Sequence, residues 1–225
     1  MDYVGPSLRT VIGDRVNQPF SEAEVRCVMR QLLAGAEVMH GHGIVHRDIK
    51  PDNILVGNGG AVKICNYGMA KSLAEKATPC RFAGTLAYMA RVLVKNADHS
   101  TLVDAWSLGC IFDVLAVPCK RVWQAMKLQA YDDEVQVWTA RQLRVRHRSR
   151  LRELFPEEML SRDGFQVLKG LLTCDPEKRL TAAAALQCPW FTEDVDGAPV
   201  SERITVTKIA AMAGYNFRWI RARFT

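Results

Sequence analysis

A polar segment, residues 46–53, lies between two different apolar patterns in this sequence. Before it, apolar residues recur at helical spacing between Val25 and Met39, which predicts an amphipathic helix. After it, two short apolar runs at 54–56 and 61–65 flank a glycine-rich turn, which predicts a β-hairpin. The polar segment is therefore predicted to be a loop held between a buried helix and a small sheet.

Local signals mark where the helices begin and end. Ser21 and Glu24 have the spacing of a capping box, in which each side chain satisfies an exposed backbone amide. A helix is therefore predicted to begin at Ser21, and its pattern stops at Gly41 and Gly43. A second, buried helix is predicted over about 102–115.

The rest of the chain is predicted to be mostly helix and loop. Residues 1–8 are expected to be short and extended, and a long polar loop is expected from the hairpin to about His99. Further helices are expected up to Phe191, with Thr181 capping an alanine-rich one. The predicted fold class is therefore mainly α with a small β-hairpin.

The composition indicates a reduced, intracellular globular protein. The 225 residues are 48% hydrophobic and 24% charged, which suits one large domain, or a domain plus a tail. Seven cysteines without a C-x-x-C pair favour free thiols in the cytoplasm or nucleus. No signal-peptide pattern is present, and the most apolar stretch, 107–119, is too short to span a bilayer. The net charge of +6 does not by itself indicate nucleic acid.

The polar segment carries the residue types of a phosphoryl-transfer site. Asp48 is followed two residues later by Lys50 and five residues later by Asn53. A carboxylate can orient a hydroxyl nucleophile and accept its proton, a cation can neutralise the transferring phosphoryl group, and an amide oxygen can help to hold Mg²⁺.

The same segment, His46-Arg47-Asp48-Ile49-Lys50-Pro51-Asp52-Asn53, closely resembles the catalytic loop of eukaryotic protein kinases, HRDxKPxN. The resemblance implies that Asp48 is the catalytic base, Lys50 the phosphate contact and Asn53 a metal ligand. The lysine and proline match the serine/threonine form of the loop.

Four further segments resemble kinase motifs in the family's order. They are Asn66-Tyr67-Gly68 for Asp-Phe-Gly, residues 84–90 for the end of the activation segment, residues 104–110 for the central buried helix whose Asp104 braces the catalytic loop, and residues 175–191 for the closing helices. The resemblance implies a kinase large lobe over residues 1–191 and a C-terminal tail over 192–225.

Residues 1–8 resemble the hinge of cyclin-dependent-kinase-like enzymes. The resemblance implies an ATP site in which Asp2 and Val4 line the hinge and Leu55 forms the floor of the adenine pocket. Lys50 and Asn53 would complete it, and Mg²⁺ would be held by Asn53 together with Asn66, a degenerate ligand. Kinases also need a glycine-rich loop and a strand lysine ahead of the hinge. The chain as written begins at about the hinge, so it is expected to lack the small lobe that grips ATP.

Three departures from the family pattern predict impaired catalysis. Asn66 stands where a metal-binding aspartate is usual, and losing one such electrostatic element typically costs about 10²–10³ in rate. Val92 stands where a glutamate normally pairs with the arginine that maps to Arg179, which leaves Arg179 unpaired unless another acid serves. Either a rearranged partner for Arg179 or a less stable lobe is therefore expected. Cys80 occupies the position of the activating threonine, so Arg47 lacks its usual anionic partner. Thr78 is an alternative phosphosite or an ordinary loop residue, and Thr85 is expected to have the family's structural role.

Basic and histidine clusters have simpler interpretations. Residues 141–152 contain six arginines, which form either a docking patch for phosphate, nucleic acid or an acidic protein, or a solvated face. Arg218, Arg221 and Arg223 are expected to pack with the tail rather than bind nucleic acid. His40 and His42 have no third ligand nearby, so a metal site is not expected.

Two hypotheses of function follow. In the first, the chain is a catalytically impaired, pseudokinase-like protein that acts by binding a protein partner. In the second, it is an active serine/threonine kinase of cyclin-dependent type whose N-terminal, ATP-binding lobe is not included in this sequence. Cyclin is not the expected partner, because much of the cyclin contact in the family is made by the small lobe. A large lobe alone is also expected to expose apolar surface.

Overall fold

The computed structural model describes residues 5–15, 18–57, 60–74, 84–85, 88–89, 100–116, 151–152 and 155–192. The helices in this part of the chain are α1 (Leu8–Asp14), α2 (Glu22–Gly41), α3 (Leu102–Ala116), α4 (Arg162–Leu171), α5 (Ala182–Leu186) and α6 (Pro189–Thr192). The strands are β1 (Ile44–Val45), β2 (Ile54–Val56), β3 (Val62–Ile64) and β4 (Lys71–Ser72), which form two antiparallel pairs, β1–β4 and β2–β3. Single 3₁₀ turns occur at Pro51–Asn53, Tyr67–Met69 and Pro176–Lys178. The mainly helical fold with a small hairpin is confirmed.

Helix α2 is the scaffold on which the hairpin and the later helices pack. The predicted capping box is present, because the Ser21 hydroxyl accepts the Glu24 amide while the Glu24 carboxylate accepts the Ser21 amide. The helix ends at Gly41, and Gly43 follows in the left-handed region with φ of 68°, a conformation that glycine adopts without strain. Its buried face consists of Val25, Val28, Met29, Leu32, Leu33, Ala36 and Met39.

Helix α3 is the predicted buried helix, with bounds close to those expected. Leu108, Ile111, Phe112 and Leu115 are completely buried. Asp104, in its first turn, is also completely buried. Because an isolated buried carboxylate is very unfavourable, Asp104 requires hydrogen-bond donors, and these come from the polar loop described below.

The C-terminal helices close over α2 and α3. Thr181 caps α5 as predicted, accepting the Ala184 amide at 3.1 Å. Trp190 stacks on Phe112 with ring centroids 4.8 Å apart, and its indole N–H donates to Glu22 Oε1 at 2.6 Å. Since Glu22 Oε2 also accepts the Ser161 amide at 3.0 Å, this one carboxylate joins the starts of α2 and α4 to α6.

Two expectations about loops were wrong in part. Residues 1–8 were expected to be extended, but Leu8 is the first residue of α1, and Ser7 caps that helix. Helix α1 was not predicted from the sequence. The described part of the expected long loop contains a 3₁₀ turn and strand β4, whose residue Lys71 pairs with Val45. Both elements are short, so they leave little periodic signal in the sequence. None of the described helices combines the length and apolar character needed to cross a bilayer.

Candidate active site

Asp104 holds the polar loop in place from within the core. Its Oδ2 accepts the His46 amide at 2.8 Å, and its Oδ1 accepts the Arg47 amide at 2.9 Å. The His40 ring donates from Nε2 to Oδ2 at 2.9 Å. Three donors therefore satisfy this buried carboxylate, and two of them are consecutive backbone amides of the loop. The sequence anticipated the brace but missed His40, which lies on α2, far from Asp104 in the chain.

The loop itself adopts a constrained backbone at Arg47, whose φ is 68°. The Arg47 carbonyl lies against Gly84, where an added Cβ would approach its oxygen to 2.4 Å. Arg47 Nε donates to the Met69 carbonyl at 2.6 Å, while Nη1 is buried without a partner among the described residues. Cys80 and Thr78, the positions at which a phosphate group could pair with Arg47, lie outside the described residues.

Asp48, Lys50 and Thr85 form what we call the base half of the site. The Thr85 hydroxyl donates to Asp48 Oδ1 at 2.8 Å and accepts from Lys50 Nζ at 2.7 Å. Lys50 Nζ also lies 3.0 Å from Asp48 Oδ2. Burial alone would raise the pKa of Asp48, but the bonds from Lys50 and Thr85 outweigh it and lower the pKa. Asp48 is therefore an ionised, oriented acceptor that can align a hydroxyl group.

Asn53 and Asn66 form what we call the amide half of the site. Asn53 Nδ2 donates to the Asp48 backbone carbonyl at 2.8 Å and to Asp48 Oδ2 at 2.9 Å. These two acceptors fix the orientation of the Asn53 amide, so its Oδ1 faces away from Asp48. That oxygen accepts from Asn66 Nδ2 at 3.1 Å. Asn66 itself is exposed and left-handed, with φ of 64°.

The amide half does not fit a Mg²⁺ site. Mg²⁺ favours anionic oxygen ligands and near-ideal octahedral geometry. Here the oxygen of Asn53 that would face a cation already accepts a hydrogen bond, and Asn66 adds no charge. Within the described ranges, no group of three histidine, cysteine, aspartate or glutamate side chains is arranged to hold a metal ion.

The residues expected to hold adenine are placed only in part. Leu55 is half-buried on the face of β2 opposite the buried Ile54 and Val56, as a floor residue would be. Its backbone bridges to Ser7, which ties the segment before α1 to the hairpin. Asp2 and Val4 lie outside the described residues.

Arg179 is buried, and the hydrogen-bond partners that it has among the described residues are backbone carbonyl groups. It donates to the backbone oxygens of Thr173, Leu102 and Cys174 at 2.8, 2.8 and 3.2 Å. Its guanidinium also lies 5.0 Å from the centre of the Trp106 ring. Burial lowers the pKa of Arg179. The expected rearranged partner therefore exists, while Val92 lies outside the described residues.

Most of the basic clusters fall outside the described residues, including 141–150 and Arg218, Arg221 and Arg223. Arg152 is described, and it lies over the Phe165 ring at 4.6 Å and 3.3 Å from Glu157. Large apolar side chains are exposed elsewhere, at Tyr67, Leu73 and Val38.

Comparisons with known proteins agree with this arrangement. A family model described as protein kinase domain matches residues 1–191. Putative cyclin-dependent kinase F-2 of Oryza sativa subsp. japonica is 42% identical, over 91% of this chain and 68% of the relative. Cyclin-dependent kinase G-2 of Oryza sativa subsp. indica is 35% identical, over 86% of this chain and 30% of the relative. Probable cyclin-dependent kinase 10 of Dictyostelium discoideum is 34% identical, over 86% and 57%.

Proposed function

The chain belongs to the protein kinase family, as a serine/threonine member of cyclin-dependent-kinase type, and we propose that it is an impaired member that acts by binding a protein partner. The two halves of the catalytic loop differ in charge. The base half has the charges and donors that orient a hydroxyl nucleophile. The amide half has no charge with which to hold a phosphate-bound cation.

The observation that carries the proposal is the hydrogen bond between Asn66 Nδ2 and Asn53 Oδ1. Asn53 cannot turn its oxygen elsewhere without losing two bonds to Asp48. A cation at Asn53 Oδ1 would therefore share that oxygen with the Asn66 amide and would meet a neutral side chain in place of a carboxylate. Removing a single preorganised electrostatic contact typically slows a reaction by about 10²–10³.

We favour a protein partner over a small-molecule ligand because the chain has a folded helical surface with exposed apolar side chains. The described helices α2, α3 and α4 contribute to one buried hydrophobic core, so the chain can present a folded surface. Tyr67 and Leu73 each expose about half of their surface, at 51% and 52%. Tyr67 is next to Asn66 in the chain, and exposed apolar side chains beside the site favour a protein contact there. ATP and Mg²⁺ are the family's usual cofactors. Cyclin is not proposed as the partner.

The test is a sensitive phosphotransfer assay on the purified chain. The chain is incubated with γ-labelled ATP, a protein substrate containing serine and threonine, and either Mg²⁺ or Mn²⁺. We expect no transfer that depends on Asp48, because the amide half cannot stabilise the phosphates. Asp48→Ala is the matched control. Labelling that disappears in Asp48→Ala would overturn the proposal and favour an active serine/threonine kinase.

A further inference from the structure

On the edge of β3 that faces away from β2, the backbone amide of Val62 donates to a side chain and not to another strand. Ala61 and Cys65 direct their backbone groups towards β2, since Gly57 donates to the Ala61 carbonyl at 2.8 Å and Cys65 donates to the Asn53 carbonyl at 2.9 Å. In an antiparallel ladder the backbone groups alternate in direction. The amide of Val62 therefore points away from β2, where a further strand would normally receive it.

A side chain of α2 takes the place of that strand. Gln31 Oε1 accepts the Val62 amide at 2.9 Å, and Gln31 Nε2 donates to the Gly60 carbonyl at 3.1 Å. Because Val62 can only donate and the Gly60 carbonyl can only accept, the two contacts fix which end of the Gln31 amide is which. One half-buried side chain thus supplies both a donor and an acceptor to the open strand edge.

The hairpin that Gln31 holds carries the amide half of the site. Asn53 immediately precedes β2, and Asn66 follows β3 by two residues. The register pairs Ile54 with Ile64, and the Cys65 amide donates to the Asn53 carbonyl, so Asn53 and Asn66 keep their spacing only while β3 stays paired with β2. Gln31 holds the other edge of β3 against α2, and loss of that support would let β3 move away from β2 and widen the separation of 3.1 Å between the two side chains.

We propose that Gln31 is a positioning residue, whose side-chain amide fixes β3 on α2 and thereby sets the contact between Asn53 and Asn66. The use of that contact in the protein rests on the proposed function, whereas the positioning itself does not require any nucleotide or catalysis. An experiment can therefore disprove the positioning role of Gln31 without disproving the proposed function, and the reverse also holds.

The test is hydrogen exchange and side-chain amide NMR on the full chain carrying Gln31→Met. Methionine keeps the length of the side chain and its apolar stem but loses both bonds. We expect the Val62 amide to exchange at least about tenfold faster, with the Val167 and Leu168 amides of α4 unchanged. The side-chain amide signals of Asn53 and Asn66 should also move. Gln166→Met, at an exposed position of α4, is the matched control and should change neither.

Gln31→Glu separates positioning from general stability. Glutamate retains an acceptor for the Val62 amide but has no donor for the Gly60 carbonyl. We expect protection of Val62 to be kept in this variant, and it decides the question if Gln31→Met does not fold. Any of four results would overturn the proposal: unchanged exchange at Val62 in Gln31→Met, unchanged side-chain amide signals of Asn53 and Asn66 in that variant, equal acceleration of all core amides, or loss of Val62 protection in Gln31→Glu.

Discussion

The base half and the amide half of the site lie side by side on the same loop, yet they are stabilised differently. In the base half, Asp48 is held by a lysine and a hydroxyl, and its pKa is lowered by those partners despite burial. In the amide half, Asn53 and Asn66 satisfy each other through a neutral hydrogen bond. A loop of this sequence can therefore fold with an ionised, hydrogen-bonded Asp48 while the adjoining pair of amides carries no charge.

The difference separates the structural requirement of the loop from its chemical requirement. The structural requirement is met by Asp104, which binds the loop amides from inside the core. Binding of a cation would favour negative charge at the position of Asn66, whereas the loop folds with a neutral amide there. Three substitutions test this contrast.

We expect the largest effect from Asp104→Asn, which should destabilise the loop that carries both halves of the site. The amide group of asparagine would face a backbone N–H that now donates to a carboxylate oxygen, so one buried donor loses its acceptor. We expect the free energy of unfolding to fall by about 3 kcal/mol, measured by urea denaturation. Glu37→Gln, at an exposed position of α2, is the control. A loss below that of the control variant would show that the loop does not depend on Asp104.

Asn66→Asp should change the amide half alone. The carboxylate cannot donate to Asn53 Oδ1, so that oxygen becomes available to a cation and gains an anionic neighbour. We expect Mn²⁺ to bind at least about tenfold more tightly than to the unmodified chain, measured by paramagnetic broadening of NMR signals near the site. Adding Asn53→Ala to this variant should remove the gain. Equal Mn²⁺ affinity in the unmodified chain and Asn66→Asp would contradict the neutral-site interpretation.

Thr85→Val should change the base half alone, with the smallest effect. Asp48 loses a donor, so its pKa should rise towards the ordinary value of 3.8. Because the folded-state pKa is lowered, ionised Asp48 stabilises the fold above pH 3.8, and this stabilisation is lost as the pH falls through the folded-state value. We expect Thr85→Val to be less stable by about 1 kcal/mol at pH 7, and the difference should shrink in acid. A difference that is constant from pH 7 to pH 2 would argue against a bond to ionised Asp48.

The sequence predicted those parts of the fold that have strong local signals. The capping box at Ser21, the hairpin after Asn53 and the buried helix containing Asp104 each depend on residues close together in the chain, and all three are present. The convergence of Asp48 and Asn53 also followed from their spacing in one loop.

The remainder depends on contacts that local patterns do not encode. His40 reaches Asp104 across 64 residues, and Gln31 reaches Val62 across 31. Arg179 was expected to need an acidic partner, whereas backbone carbonyls accept its hydrogen bonds. The bond between Asn53 and Asn66 depends on which way an amide is turned, a property that no residue pattern specifies.

The carboxylate of Glu22 has a consequence for the order of events during synthesis. Its indole partner, Trp190, is translated 168 residues later. At about 5–20 residues per second, a ribosome needs roughly ten to thirty seconds to cover that distance. During this interval the beginning of α2 exists without Trp190, and the capping box between Ser21 and Glu24 is a local contact that can already form before α6 is made.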